Sequence, residues 1–198
     1  ETDYFKKPGS SGLIMKNEEV KIDNPNEEGI GEVVVKGPNV MLGYYENEEE
    51  THKVLKDGWF YTGDLGYFDK EGYLYLTGRK KDVIVLKNGK NIYPQELEFL
   101  VSKLEFVEEV IVYGKPVKNN DYQISAKIVY NEEVIKELYP ESNKEEYKEI
   151  IWNEIKEKVN QNIPDYKHIK EITITKEPLI KTTTQKVKRA EEMKKIGV

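Results

Sequence analysis

Two basic islands and one carboxylate stand out as residues able to hold an anionic ligand. Residues 79–90 carry Arg79, Lys80, Lys81, Lys87 and Lys90 against only Asp82. The segment from 181 carries Lys181, Lys186, Lys188, Arg189, Lys194 and Lys195 against Glu191 and Glu192. In a chain of net charge -6, such islands suit a compact anion such as a nucleotide or a phosphate. On charge alone, an ordinary solvated surface suits them equally well. Upstream, the string YTGDL sets Asp64 behind Gly63. Glycine lets the backbone turn sharply and come close to a ligand. The carboxylate offers two acceptor oxygens, which match the paired donors of a ribose 2′,3′-diol. Capping of a turn is the plainer role for the same residue. Arg79, in GRKKD, supplies a rigid planar fork of donors that keeps its charge.

These side chains need a scaffold to aim them, and the alternation of the sequence describes one. Strand-like runs at 13–15, 20–22, 32–36 and 73–77 are punctuated by Gly and Pro, with Asn24-Pro25-Asn26 as a turn. The Glu-rich stretch 47–55 could hold one short helix. After Gly78 the character changes. A strand over 82–86 leads into KNGKN, where Asn88-Gly89 is the strongest hairpin dipeptide of the chain. Pro94 opens a helix, with Glu96 and Glu98 as helix-start and packing residues. Leu97, Leu100, Val101 and Leu104 form its apolar face. Strands follow at 110–113 and 124–130, then an amphipathic helix over 142–162, a strand at 169–175 and a short helix near 190–196. The reading is α+β, with a boundary between Gly78 and Asp82. PGSSG at 8–12 lacks the Lys-Ser/Thr and helix start of a phosphate loop, so it reads as a turn between strands.

Composition removes several functions. At 198 residues, 37% hydrophobic and 34% charged, the chain fits one globular domain or two small ones. It has no cysteine, which excludes disulfides and thiolate chemistry and is consistent with a cytoplasmic location. His52 and His168 lie far apart and read as surface residues, so no metal site is expected. No apolar run is long enough to cross a bilayer, and the first residues do not resemble a secretion signal. The acidic balance argues against a nucleic-acid partner.

Four strings occur in one order: GEVVVKGPNVMLGYYENEEET at 31–51, GWFYTGDLGYFDKEGYLYLTGRKKDVIV at 58–85, KNGKNIYPQELE at 87–98 and KTTTQKVKR at 181–189. Together they resemble the adenylate-forming superfamily of acyl-CoA synthetases, luciferases and peptide-synthetase adenylation domains. The likeness covers essentially the whole chain, although 115–170 is carried by pattern more than by motif. Among these enzymes the strings look most like bacterial long-chain fatty acid–CoA ligases.

The resemblance implies a fold, a reaction and a set of roles. Residues 1–78 would be the β-rich end of a large adenylate-forming domain. Residues 79–198 would be its mobile C-terminal α+β domain, a three-stranded sheet with helices plus a β-hairpin. A carboxylic acid, in the closest likeness a long-chain fatty acid, would react with ATP, accompanied by Mg2+, to give acyl-AMP and pyrophosphate. CoA would then take the acyl group and release AMP. By the same likeness Asp64 holds the ribose, Arg79 lies near the ribose or phosphate, and Lys81 is the hinge. The loop Lys87, Asn88, Gly89 and Lys90 faces the pantetheine of CoA, and Lys186 is the catalytic lysine of adenylation. Two positions depart from the common pattern: Ile180 stands where proline is frequent and Gln185 where glycine is frequent. The Ser/Thr/Gly-rich phosphate loop and the acid pocket of these enzymes do not occur here. The chain is therefore expected to be a C-terminal portion without ATP turnover of its own. Other readings stay open: a ligase for a different acid or a carrier protein, or a non-catalytic docking module. Small molecules are the expected partners, and peripheral membrane contact is left open.

Overall fold

In the computed structural model, which describes residues 7–118 and 120–198, turn chemistry and strand pairing build two compact units, Glu1–Asp82 and Val83–Val198. Residues 1–6 of the expected β-rich portion lie outside the described residues.

The first unit is an antiparallel sheet. Strand β1 (Glu19–Asp23) and β2 (Gly31–Lys36) are joined by a turn in which Asn26 Oδ1 accepts from the N–H groups of Glu28 and Ile30. Helix α1 (Glu48–Val54) starts at Asn47, whose side chain accepts from Glu50 N at 3.1 Å, the usual remedy for an unpaired first-turn donor. Then come β3 (Leu55–Lys56), β4 (Trp59–Phe68) and β5 (Leu74–Arg79). The strand order is β1-β2-β4-β3, with β5 also paired to β4. An irregularity in the β2/β4 pairing puts extra residues in β4 at 62–64 and bends it there, and a second, in the β4/β5 pairing, leaves Thr77 as an extra residue of β5. The run at 13–15, expected to be a strand, is exposed coil; only Gly12 bridges, to Leu74. An apolar triplet without a partner strand does not pair itself. The aromatic-rich β4, in contrast, was not expected as a separate strand.

The second unit begins with a two-stranded hairpin, β6 (Ile84–Val85) and β7 (Asn91–Ile92). Helix α2 (Pro94–Val101) follows with proline at its start, as its sequence requires. Strand β8 (Val107–Val117) pairs antiparallel with β9 (Asp121–Tyr130). Helices α3 (Glu132–Leu138) and α4 (Tyr147–Lys158) lead to β10 (Glu171–Thr175), which pairs parallel with β9, and α5 (Arg189–Ile196) closes the chain. The sheet order is β10-β9-β8, so the three-stranded sheet with helices and a hairpin is the one expected. Alternation along β9 sorts two faces. Ile124, Ala126 and Ile128 pack with Leu97 and Val101 of α2 and with Ile151 and Ile155 of α4. Each fully buried Ile or Leu contributes roughly 1.5–3 kcal/mol there. Ile111 and Val129, on the other face, meet Leu179, Met193 and Ile196.

In this unit two elements differ from expectation. Helix α3, not foreseen, forms because Asn131 Oδ1 accepts from the N–H groups of Glu133 and Val134. Helix α4 is shorter than 142–162. At its front, Ser142 and Asn143 make turns, and beyond its end a 3-10 turn at Asn160–Asn162 is fixed by Asn160, which exchanges two hydrogen bonds with Ile169.

Candidate functional site

Gly63 sits at φ +71 in the bend of β4, a conformation that glycine adopts without strain. Thr62 Oγ1 donates to Val33 O at 2.7 Å and accepts from Asp64 N at 3.0 Å, so the hydroxyl shapes the turn from both sides. Gly63 N–H donates to Glu32 Oε1 at 3.0 Å. Asp64 and Arg79 are register partners across β4 and β5, and Arg79 Nη1 donates to Asp64 Oδ1 at 2.6 Å. The arginine is half-exposed, so this pair adds little stability, below about 1 kcal/mol. What it does is hold a carboxylate and a guanidinium side by side at the surface. Lys80 and Lys81 follow in a 3-10 turn, Lys80–Asp82, that ends the first unit. Lys80 Nζ reaches Glu32 Oε2 at 2.7 Å, and that bond holds the ammonium above its ordinary value. Lys81 is exposed.

The KNGKN loop is closed by Gly89 N–H to Leu86 O and by Leu86 N–H to Lys90 O, both 2.9 Å. Asn88 Oδ1 accepts from Lys90 N at 3.0 Å. Gly89 has φ +78, and a Cβ there would meet nothing within 4 Å. The glycine therefore serves the turn's dihedral, and the space beside it is open. Lys87, Asn88, Gly89 and Lys90 are all exposed. Lys87 N–H donates to Asp121 Oδ1 at 3.0 Å, tying the loop to the start of β9.

Lys186 lies exposed on a third tight turn, bridged at Lys181 and Val187. Thr182 N–H donates to Lys186 O at 2.8 Å, and Lys186 N–H returns to Thr182 Oγ1 at 3.1 Å. Gln185 occupies the left-handed region at φ +63, the conformation that favours the glycine frequent at this position in the resembling enzymes. Three carboxylates fix this turn to the unit. Glu109 accepts from Leu179 N at 2.8 Å and pairs with Lys181. Glu192 accepts from Ile180 N at 3.0 Å and pairs with Lys127. Glu98 accepts from Val112 N at 2.7 Å and pairs with Arg189, whose Nη1 donates to Val112 O at 2.7 Å.

The structure thus brings Asp64 and Arg79 together in one unit. It places the Lys87–Lys90 loop and Lys186 on separate turns of the other. Sequence reasoning missed Glu32, Glu109 and Glu192. Glu192 and Ile196 are four apart on α5, so a carboxylate on the apolar stripe was a readable signal. Glu32 lies within the buried run of β2 and gave a weaker one. Among the described residues no group of three or more His, Cys, Asp or Glu could hold a metal ion, and no helix is long and apolar enough to cross a membrane.

The chain is 42% identical over 122 residues, 62% of its length, to the long-chain-fatty-acid–CoA ligase of Bacillus subtilis. It is 37% identical over 187 residues, 94% of its length, to the 2-succinylbenzoate–CoA ligase of Listeria monocytogenes. It spans 21% of the first relative and 35% of the second. Among solved structures, o-succinylbenzoate CoA synthetase of Bacillus subtilis in complex with its acyl-adenylate intermediate matches 92% of this chain and 35% of its own, with a TM-score of 0.76 and 30% identity. The family model described as AMP-binding enzyme C-terminal domain matches residues 81–196, and the chain belongs to that family.

Proposed function

We propose that this chain is the C-terminal part of an AMP-forming acid–thiol ligase, which activates a carboxylic acid with ATP and passes the acyl group to CoA. One observation carries the reading: a surface Asp64–Arg79 pair on a glycine bend, and an exposed Lys186 turn in a separate compact unit, in a chain resembling CoA ligases over 94% of its length. Residues 1–78 belong in this reading to the large adenylate-forming domain and 79–198 to the mobile C-terminal domain.

In the first half-reaction a carboxylate oxygen attacks the α-phosphorus of ATP, and pyrophosphate leaves. Asp64 accepts from the ribose hydroxyls, and Arg79 orients Asp64 and supplies positive charge beside the ribose and phosphate. The ammonium of Lys186 meets the negative charge that builds on the α-phosphate, an effect that strengthens when water is excluded. Mg2+ enters with the phosphates of ATP. In the second half-reaction the CoA thiol attacks the acyl-AMP carbonyl and AMP leaves. Lys81 is the pivot between the two, and Lys87, Asn88, Gly89 and Lys90 line the pantetheine path, where the open space beside Gly89 suits a narrow chain. Small molecules are the partners, nucleic acid is not among them, and the demand for ATP and CoA fits the cytoplasm.

For the acid we favour a long-chain fatty acid, on the likeness of KNGKNIYPQELE and TTTQKVKR to bacterial fatty-acid ligases. Identity alone does not separate the readings, with a fatty-acid ligase at 42% and a 2-succinylbenzoate ligase at 43%. The Listeria monocytogenes relative acting on 2-succinylbenzoate aligns over more of the chain and makes that aromatic acid the second reading. The deciding experiment is acid-dependent ATP–pyrophosphate exchange in the full-length protein, with both acids, native and Lys186→Ala. Exchange with a long-chain acid that collapses in the variant, while preformed acyl-AMP still yields acyl-CoA, supports the reading. Exchange only with 2-succinylbenzoate moves the substrate. No exchange with any acid overturns the ligase assignment, and full exchange in the variant overturns the catalytic role of Lys186.

A further inference from the structure

We infer that Glu32 is a positioning residue that couples the turn presenting Asp64 to the segment carrying Lys81. The inference rests on the ligase reading above. Glu32 is only 7% exposed and is the second residue of β2, opposite Leu65. Its two oxygens serve two different segments. Oε1 accepts from Gly63 N–H at 3.0 Å, which sets the Thr62–Gly63 peptide plane at the bend that leads into Asp64. Oε2 accepts from Lys80 Nζ at 2.7 Å, one residue before Lys81 and one after Arg79. Arg79 in turn donates to Asp64 at 2.6 Å. The contacts close a ring: Gly63 to Glu32, Glu32 to Lys80, Lys80 through the chain to Arg79, and Arg79 to Asp64.

A buried carboxylate is costly to keep unless it is both paired and hydrogen-bonded, and Glu32 is both. That makes it a rigid tie. A pivot works only if the chain on one side of it is anchored, because otherwise rotation spreads into the neighbouring dihedrals. The Glu32–Lys80 bond supplies that anchor, so turning at Lys81 leaves the Asp64 bend undisturbed.

The two oxygens can be tested apart in the full-length protein. Glu32→Gln keeps a side-chain oxygen for Gly63 N–H and removes the charge that holds Lys80. Lys80→Met, at an exposed position, removes the same ion pair without disturbing the interior. Glu32→Ala removes both links. Adenylation is read as KM for ATP in pyrophosphate exchange, and the second half-reaction as the rate from preformed acyl-AMP and CoA. Glu32→Ala is expected to raise KM for ATP about tenfold, the scale of one lost hydrogen bond to a charged group. Glu32→Gln and Lys80→Met should leave KM for ATP within about twofold and slow the second half-reaction about fivefold. The double change should do no more than either alone, as members of one pair behave. Equal losses in both half-reactions for all three variants, or no loss in any, overturn the inference while native exchange still stands. A native protein silent with every acid overturns the ligase reading, and this inference falls with it.

Discussion

Lys127 of β9 and Glu192 of α5 form an ion pair in the interior of the second unit, with the glutamate wholly buried and the lysine nearly so. The other oxygen of Glu192 accepts from Ile180 N–H at 3.0 Å. One side chain therefore fixes helix α5 to the sheet and to the segment entering the Lys186 turn.

Removing one partner of such a pair leaves the other buried and uncompensated. Glu192→Ala should cost about 3 kcal/mol, read as a shift in urea midpoint at pH 7. Replacing both with apolar residues of similar size, as in Lys127→Met with Glu192→Leu, should recover most of that loss.

The same pair has a pH signature. Burial pushes the Glu192 carboxyl up, but the Lys127 ammonium and the Ile180 N–H outweigh it, and the net value is lowered. A lowered folded value contributes stability above the unfolded glutamate value of about 4.3 and loses it as pH falls through the folded one. Acid unfolding of the native chain should therefore steepen below about pH 4.3, and Glu192→Gln should flatten that slope.

Gln185 holds a left-handed conformation at φ +63. Gln185→Gly should relieve up to about 1 kcal/mol, set against the greater freedom glycine gives the unfolded chain. Gln185→Val should cost at least as much in the other direction, since branched side chains fit this region worst. Thermal denaturation of both variants checks the sign.

The Asp121 carboxyl is held below its usual range, first by the Lys87 N–H and then by the Tyr122 N–H. Asp121→Ala should release the Lys87–Lys90 loop. Hydrogen exchange at the Lys87 amide should quicken, and CoA-dependent turnover should fall while pyrophosphate exchange holds. An unchanged Lys87 amide would remove the tether from the account.

Asp64→Asn should leave stability within about 1 kcal/mol, because its partner is half-exposed. Affinity for AMP in the full-length protein should nonetheless drop at least about tenfold, on the scale of a lost charge-assisted hydrogen bond. Calorimetric titration with AMP distinguishes this from a purely structural role, which would lower stability and affinity together.

Local chemistry was legible in the sequence wherever a residue acts on its own neighbours. Pro94 starts α2, Asn88-Gly89 turns the hairpin, and the alternation from Ile124 to Tyr130 marks β9 with its two faces. Asp64 and Arg79 are each legible in their own strings, but their pairing follows from the β4/β5 register, which no local pattern states. Glu32, Glu109 and Glu192 act on residues 31, 70 and 12 positions away, so their partners emerge only after folding. The 13–15 run shows the converse, an apolar stretch with strand propensity and no partner.

The parallel pairing of β9 with β10 has a consequence for how the second unit comes into being. Ser125 meets Glu171 only after α3 and α4 have been made, whereas β8 and β9 are joined by a short turn. Pairing across that distance has a larger loop-closure entropy and is slower. During synthesis from the N-terminus, β9 therefore waits with one edge open after β8 has paired with it. An open edge is a template for another chain. A chain cut short before Glu171 should aggregate through β9, while one ending after Thr175 should have that edge covered.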